Sequence, residues 1–286
     1  MALTGLAGPL AGDKPNVLFL MADDLRPELG CYGAGHVISP NIDRLAKRGR
    51  MFEHAYCQQA LCNPSRASML TGLRPDSLGI WNLPTHLRQR RPGIVTLPQH
   101  FRNNGYFTEC VGKIFHNWRQ DIHGDPQSWS VPQFMHYARH DDDKPRVEGK
   151  QPGNEIKLPR STIRDVPDEA YFDGRIATRA IESLRGLKKN RKPFFLAVGF
   201  WKPHLPFNAP KRYWNLYDPA KVKLPESLAK PANGPDIALH DSRELLRAFG
   251  GRKPSTRDIR ELRRGYYAAT TYMDAQVGRV LDELDR

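Results

Sequence analysis

The stretch Cys62-Asn63-Pro64-Ser65-Arg66-Ala67-Ser68-Met69-Leu70-Thr71-Gly72 organises the reading of this chain. It has the pattern C-x-P-S-R-x-x-x-L-T-G, which a random start site would match on the order of once in a billion times. Physically it describes the start of a short helix. Pro64 suits the first turn, where its missing N–H costs nothing. Ser65 and Ser68 stand in or next to that turn, and Gly72 can end the helix. A group at position 62 then faces a helix N-terminus, which favours anions. Arg66, four residues on, lies on the same face and can reach back toward it. A lone cysteine before a helix is otherwise an ordinary core residue.

The 286 residues suffice for one large domain or two ordinary ones. A 39% hydrophobic and 26% charged composition belongs to a globular chain somewhat poor in apolar residues, and 24 prolines imply long ordered loops rather than a helical bundle. The net charge of +13 suits a polyanionic substrate, nucleic acid, an anionic membrane surface, or simply a basic solvated exterior. No nucleic-acid-binding motif is legible, so nucleic acid rests on charge alone. No run of 18 apolar residues predicts a transmembrane segment. Met1–Gly12 is apolar and small, but it lacks a basic start. Residues 1–13 read either as the tail of a signal peptide or as a disordered terminus. The four cysteines, Cys31, Cys57, Cys62 and Cys110, show no zinc spacing.

The apolar run Asn16–Ala22 predicts a buried central strand of an α/β sheet that ends in Asp23-Asp24. Adjacent carboxylates at a strand end suit Ca²⁺ or Mg²⁺, or else they start a polar loop and cap a helix. Helices are predicted from Ser39 to Arg48, from Thr96 to Asn104, from Asp168 to Leu187 and from Thr256 to the end. Further strands are predicted over Arg50–Cys57, Tyr106–Gly112 and Pro193–Phe200, and Arg74–Arg91 reads as a long surface loop. The second strand runs into Lys113 and His116, and the third into Lys202-Pro203-His204. Each of these side chains is either a site residue at a strand end or an incidental loop or core group. Asn117–Asp165 has little periodicity and holds Trp118, Trp129 and the run His140-Asp141-Asp142-Asp143. It reads as an insertion loop, and its aspartate run as a solvated one. No internal repeat is present.

Together, C-x-P-S-R, the opening K-P-N-V-L-F-x-x-x-D-D-L-R, the G-K-x-x-H after the second strand and the x-K-P-H-x-P-F after the third resemble the type I sulfatases. The resemblance runs from Lys14 to about Asp285 and is strongest toward the iduronate 2-sulfatase branch. It implies a mixed, mostly parallel α/β sheet flanked by helices, of the alkaline-phosphatase type. It also implies conversion of Cys62 to formylglycine by a formylglycine-generating enzyme, calcium (Mg²⁺ the alternative) held by Asp23, Asp24 and position 62, and a sulfated carbohydrate substrate. By the same resemblance Arg66, His116 and His204 are catalytic, Lys113 and Lys202 bind sulfate, and the compartment is periplasmic or secreted. The family completes its metal site with an Asp-His or Asn-His pair and adds a later lysine. No D-H-G or N-H-G occurs here, so residues 14–286 read as the N-terminal part of a catalytic domain, truncated before the later strands. Such a piece alone is expected to be poorly soluble, to bind calcium weakly and to turn over no sulfate ester. Two other classes stay open: a phosphoesterase of the same superfamily, and a catalytically inactive remnant.

Overall fold

The computed structural model describes residues 14–116, 119–159, 161–190, 192–227, 229–235 and 243–286. The reading of residues 1–13 and the position of Trp118 lie outside them. In chain order the elements are β1 (Val17–Asp23), α1 (Pro40–Arg48), α2 (Cys62–Thr71), α3 (Pro75–Leu78), α4 (Leu87–Arg90), α5 (Leu97–Asn103), β2 (Phe107–Gly112), β3 (Ser161–Arg164), α6 (Phe172–Asn190), β4 (Phe194–Pro203), β5 (Phe207–Pro210), α7 (Lys211–Trp214), α8 (Arg243–Ala248) and α9 (Thr256–Leu284).

Strands β1, β4 and β2 form a parallel sheet in that order, and β3 pairs in parallel with β5. Every residue of β4 is buried, as a continuous apolar run flanked on both sides requires. Its side chains alternate. Phe194, Leu196, Val198 and Phe200 join Ile176, Ala180 and Leu184 of α6 and Met273, Val277 and Val280 of α9. Phe195 and Ala197 face the other way, toward Ala67 and Leu70 of α2 and Phe101 of α5. The result is an α/β sheet with helices on both faces.

Several expectations need correction. The central strand of the described sheet is β4, and β1 flanks it, because an apolar run marks burial but not rank in the sheet. Residues 50–57 are irregular, with Phe52 and Tyr56 exposed, and no described strand pairs with them. Residues 74–91 are not a surface loop throughout. They form α3 and α4 and bury Leu78, Ile80, His86 and Leu87, and Arg88 makes a buried ion pair with Asp125 at 2.8 Å. The 117–165 segment supplies strand β3.

Two glycines bring the strand ends together. Gly112 has φ +85°, and a Cβ there would lie 2.1 Å from the Gly199 carbonyl oxygen. A Cβ on Gly199 would in turn meet the Lys113 carbonyl oxygen at 2.0 Å. The Lys113 N–H donates to the Gly199 carbonyl at 2.8 Å across this contact. Gly112→Ala is therefore expected to cost at least about 1–3 kcal/mol from its backbone conformation alone, before the clash. Urea unfolding checks this: the midpoint should fall at unchanged m-value, and an unchanged midpoint would contradict the close approach.

Candidate active site

The C-terminal ends of β1, β2 and β4 and the first turn of α2 converge on one spot, as ligand sites of open α/β sheets do. At the end of β1 the pairing with β4 breaks register between Met21 and Asp23. Asp24 then adopts φ +57°, a left-handed conformation that aspartate tolerates better than most residues. Its carbonyl accepts from the Tyr266 hydroxyl of α9 at 3.1 Å, and the Arg26 N–H donates to that hydroxyl at 2.8 Å. This turn leaves Asp23 buried and Asp24 open to solvent.

Cys62 is the first residue of α2, and Gly72 ends the helix with φ +72°, its N–H donating to the Ser68 carbonyl at 2.8 Å. Arg66 does not turn back onto Cys62. One arm of its guanidinium donates to Asp23 Oδ1 at 2.7 Å, the other to the carbonyls of Lys113 and Ile114 at 2.7 and 2.9 Å. Lys113 Nζ donates to Asp23 Oδ2. Around Cys62 Sγ lie Asp23 Oδ1 at 3.7 Å, Asp24 Oδ1 at 4.0 Å and Lys113 Nζ at 4.0 Å. His204 Nε2 is 3.5 Å from Asp24 Oδ2. His116 is buried three residues beyond Lys113.

Electrostatics follow from this packing. Burial works to raise the Asp23 pKa, but Lys113 and Arg66 hold its carboxyl well below the usual carboxylate range. Burial, reinforced by the charges of Asp23 and Asp24 against the pull of Lys113, pushes the Cys62 thiol up to about 11. As a thiol, Cys62 is thus a poor nucleophile at neutral pH.

Lys202 is elsewhere. Its side chain is 0% exposed, donates to the Pro206 carbonyl at 2.8 Å and pairs with Asp143 at 3.1 Å, so its ammonium is held in a buried ion pair. Asp143 therefore does not belong to a solvated run. His140 stands in the same aperiodic run, where nothing in the sequence marks it as a site residue. Its Nε2 lies 2.9 Å from Lys113 Nζ and 3.3 Å from Asp23 Oδ2, and its ring stacks on His204 with centroids 3.5 Å apart. An aperiodic segment gives no hint of which of its residues fold inward. Asp121 is exposed, and His123 stacks on Tyr137.

An Asp23 oxygen, Cys62 Sγ and a His204 nitrogen lie within 4.8 Å of one another. The carboxylates of Asp23 and Asp24 suit a hard divalent cation, whereas sulfur is a soft donor. An oxygen in place of sulfur at position 62 would make the set a better match for Ca²⁺ or Mg²⁺.

A parallel sheet whose strand ends gather two carboxylates, a lysine and a helix-first cysteine defines an α/β protein with a polar strand-end site. The chain belongs to the sulfatase family, whose sequence pattern it matches over residues 15–286. It is 38% identical to iduronate 2-sulfatase of Mus musculus over 97% of this chain and 52% of that protein. It is likewise 38% identical to the Homo sapiens enzyme over 96% and 52%. It thus spans about half the length of these relatives. The phosphonate monoester hydrolase of Silicibacter pomeroyi shares the fold, with TM-score 0.70 and 23% identity over 95% of this chain and 59% of that one. No described helix is long and apolar enough to cross a membrane, and all four cysteines are free thiols.

In metal-free, unconverted protein, alkylation at Cys62 should stay slow at neutral pH and climb as pH rises toward about 11, because the thiolate is the reacting form. Peptide mass spectrometry across a pH series checks this, with the exposed Cys57 as internal reference. Rapid labelling of Cys62 at pH 7 would contradict the burial and charge described.

Proposed function

We propose that this chain is the N-terminal part of a sulfuric ester hydrolase that removes sulfate from a sulfated carbohydrate, of uronate type or a related polysaccharide. The observation that carries the reading is the position of Cys62. It heads α2 within C-x-P-S-R, with Lys113 Nζ and both aspartates within 4.0 Å of its sulfur. In this reading a formylglycine-generating enzyme converts Cys62 to the aldehyde. That conversion removes the thiol whose high pKa suits it poorly to nucleophilic work and installs oxygen among hard ligands. The identity to iduronate 2-sulfatases supports the substrate class, and the +13 charge agrees with a polyanion. The same kinship supports a periplasmic or secreted location.

Hydration of the aldehyde gives two hydroxyls on one carbon. One of them, giving up its proton to water, attacks the ester sulfur, and the bond from sulfur to the sugar oxygen breaks. His204, beside Asp24, delivers the proton to that leaving oxygen. The remaining hydroxyl loses its proton to His116, the aldehyde re-forms and the carbon–oxygen bond to sulfate breaks. The balance is ester plus water to alcohol plus sulfate. Lys113 offsets charge on the transferred group, and Arg66 holds Asp23 in place and adds positive charge behind it. A Ca²⁺ (or Mg²⁺) ion held by Asp23, Asp24 and position 62 would supply a further fixed positive charge at the nucleophile.

Co-expression with a formylglycine-generating enzyme should give an aldehyde on the peptide that spans Cys62. The matured full-length protein, of which these residues are the N-terminal part, should hydrolyse sulfate esters in preference to phosphate esters. Cys62→Ser should lose this activity, because serine is no substrate for the cysteine-directed maturation. Equal turnover of a phosphomonoester by wild type and Cys62→Ser would overturn the sulfatase reading in favour of a phosphoesterase.

A further inference from the structure

The aperiodic 117–165 segment is fastened to the fold by Asp143. Its carboxylate accepts from the Phe172 N–H at the start of α6 at 2.8 Å and pairs with Lys202 of β4 at 3.1 Å. Its backbone carbonyl accepts from Asn208 Nδ2 of β5 at 2.7 Å. Asp143 and Lys202 are both almost wholly buried, so these three anchors fix the short 3₁₀ turn His140–Asp142 immediately upstream. The turn presents His140 to the strand ends. Its Nε2 lies 2.9 Å from Lys113 Nζ, and its ring lies parallel to that of His204, at 8° and 3.5 Å, with its edge toward Trp201.

A lysine ammonium has three donors on a flexible four-carbon stem, so its direction is set by what accepts from it. Asp23 takes one donor of Lys113. With its proton on Nδ1, His140 can take a second at Nε2, which leaves the third for an anion at position 62. A flat imidazole against the His204 ring likewise restricts how that ring can rotate. The nearby Trp201, whose ring centroid is 5.2 Å from Lys113 Nζ, closes the same wall.

We propose that His140 is a positioning residue of this site: it aims the Lys113 ammonium at the transferred sulfuryl group and holds the His204 ring toward the leaving oxygen. The inference rests on the sulfatase reading above, and it extends the site from the strand ends into the 117–165 segment. The Asp143–Lys202 pair is what holds that segment in register with them.

The test uses the full-length protein, of which these residues are the N-terminal part, matured and calcium-loaded, with rates normalised to the aldehyde fraction and thermal unfolding recorded for each variant. Substrates are 4-nitrophenyl sulfate, whose leaving group needs little protonation, and a sulfated sugar, whose leaving group needs more. His140→Ala should lower kcat by about 10- to 100-fold with KM changed far less, since misaimed groups slow chemistry more than capture. His140→Gln, which keeps an acceptor near Lys113, should recover much of the aryl sulfate rate. It should also restore inhibition by inorganic sulfate that the Ala variant weakens. His140→Phe, which keeps only the stacked ring, should restore the ratio of sugar to aryl sulfate rates without restoring the rates themselves. Wild-type kcat in His140→Ala on both substrates would overturn the proposal. So would Gln and Phe variants no better than Ala with equal losses of thermal stability, which would mark a merely structural residue. A wild-type enzyme with verified aldehyde and no turnover of any sulfate ester would instead overturn the sulfatase reading itself, and the proposal with it.

Discussion

The Arg66 guanidinium ties the site together. From the first turns of α2 it reaches the Asp23 carboxylate at the end of β1 and two backbone carbonyls just past the end of β2. Three separate pieces of chain are thereby locked to one planar group with fixed donor directions, which lysine could not reproduce. The interaction is buried on both sides. Its loss would strip one oxygen of Asp23 and two backbone carbonyls of their buried donors and leave Lys113 alone to offset the Asp23 charge, and removing one partner of such a buried pair costs roughly 3–5 kcal/mol. The glycines at 112 and 199 serve the same convergence by letting the backbones of β2 and β4 approach where Lys113 leaves the sheet.

This arrangement also explains why a cysteine is an odd final group at position 62. Fixed cations stand beside position 62, with Asp23 kept ionised by Lys113 and Arg66 despite its burial. A thiol in that setting is pushed away from ionisation by the same burial and by the two carboxylates. A residue so placed makes chemical sense as the precursor of an oxygen nucleophile rather than as the nucleophile itself.

Much of this was legible in the sequence where the signal is local. Apolar runs that stop at charged residues marked β1, β2 and β4 and their end groups, because strands buried on both faces read as unbroken hydrophobic stretches. Helix α2 was legible from Cys62 and Pro64 at its start and Gly72 at its end, and α9 from its periodicity. The long-range pairings were not. Nothing local distinguishes His140 or Asp143 from a solvated loop, since their burial depends on Lys113, Lys202 and Asn208, 27 to 65 residues away. The Lys202 pairing was illegible for the same reason: its motif fixes where the backbone goes, and the distant Asp143 takes the ammonium. Residues 50–57 alternate like a strand, yet a strand forms only where a neighbour accepts its ladder, and among the described residues none does.

The central claim is that position 62, as an aldehyde, is the group that attacks the ester. It is tested most directly by preparing the full-length protein at graded levels of conversion, from no maturation enzyme to full co-expression. Aldehyde fraction is read by peptide mass spectrometry and sulfate release is measured on the same samples. The account predicts that turnover rises in proportion to the aldehyde fraction and extrapolates to zero in chains that retain Cys62 as a thiol. Turnover that persists at zero conversion, or that does not follow the aldehyde fraction, would contradict it.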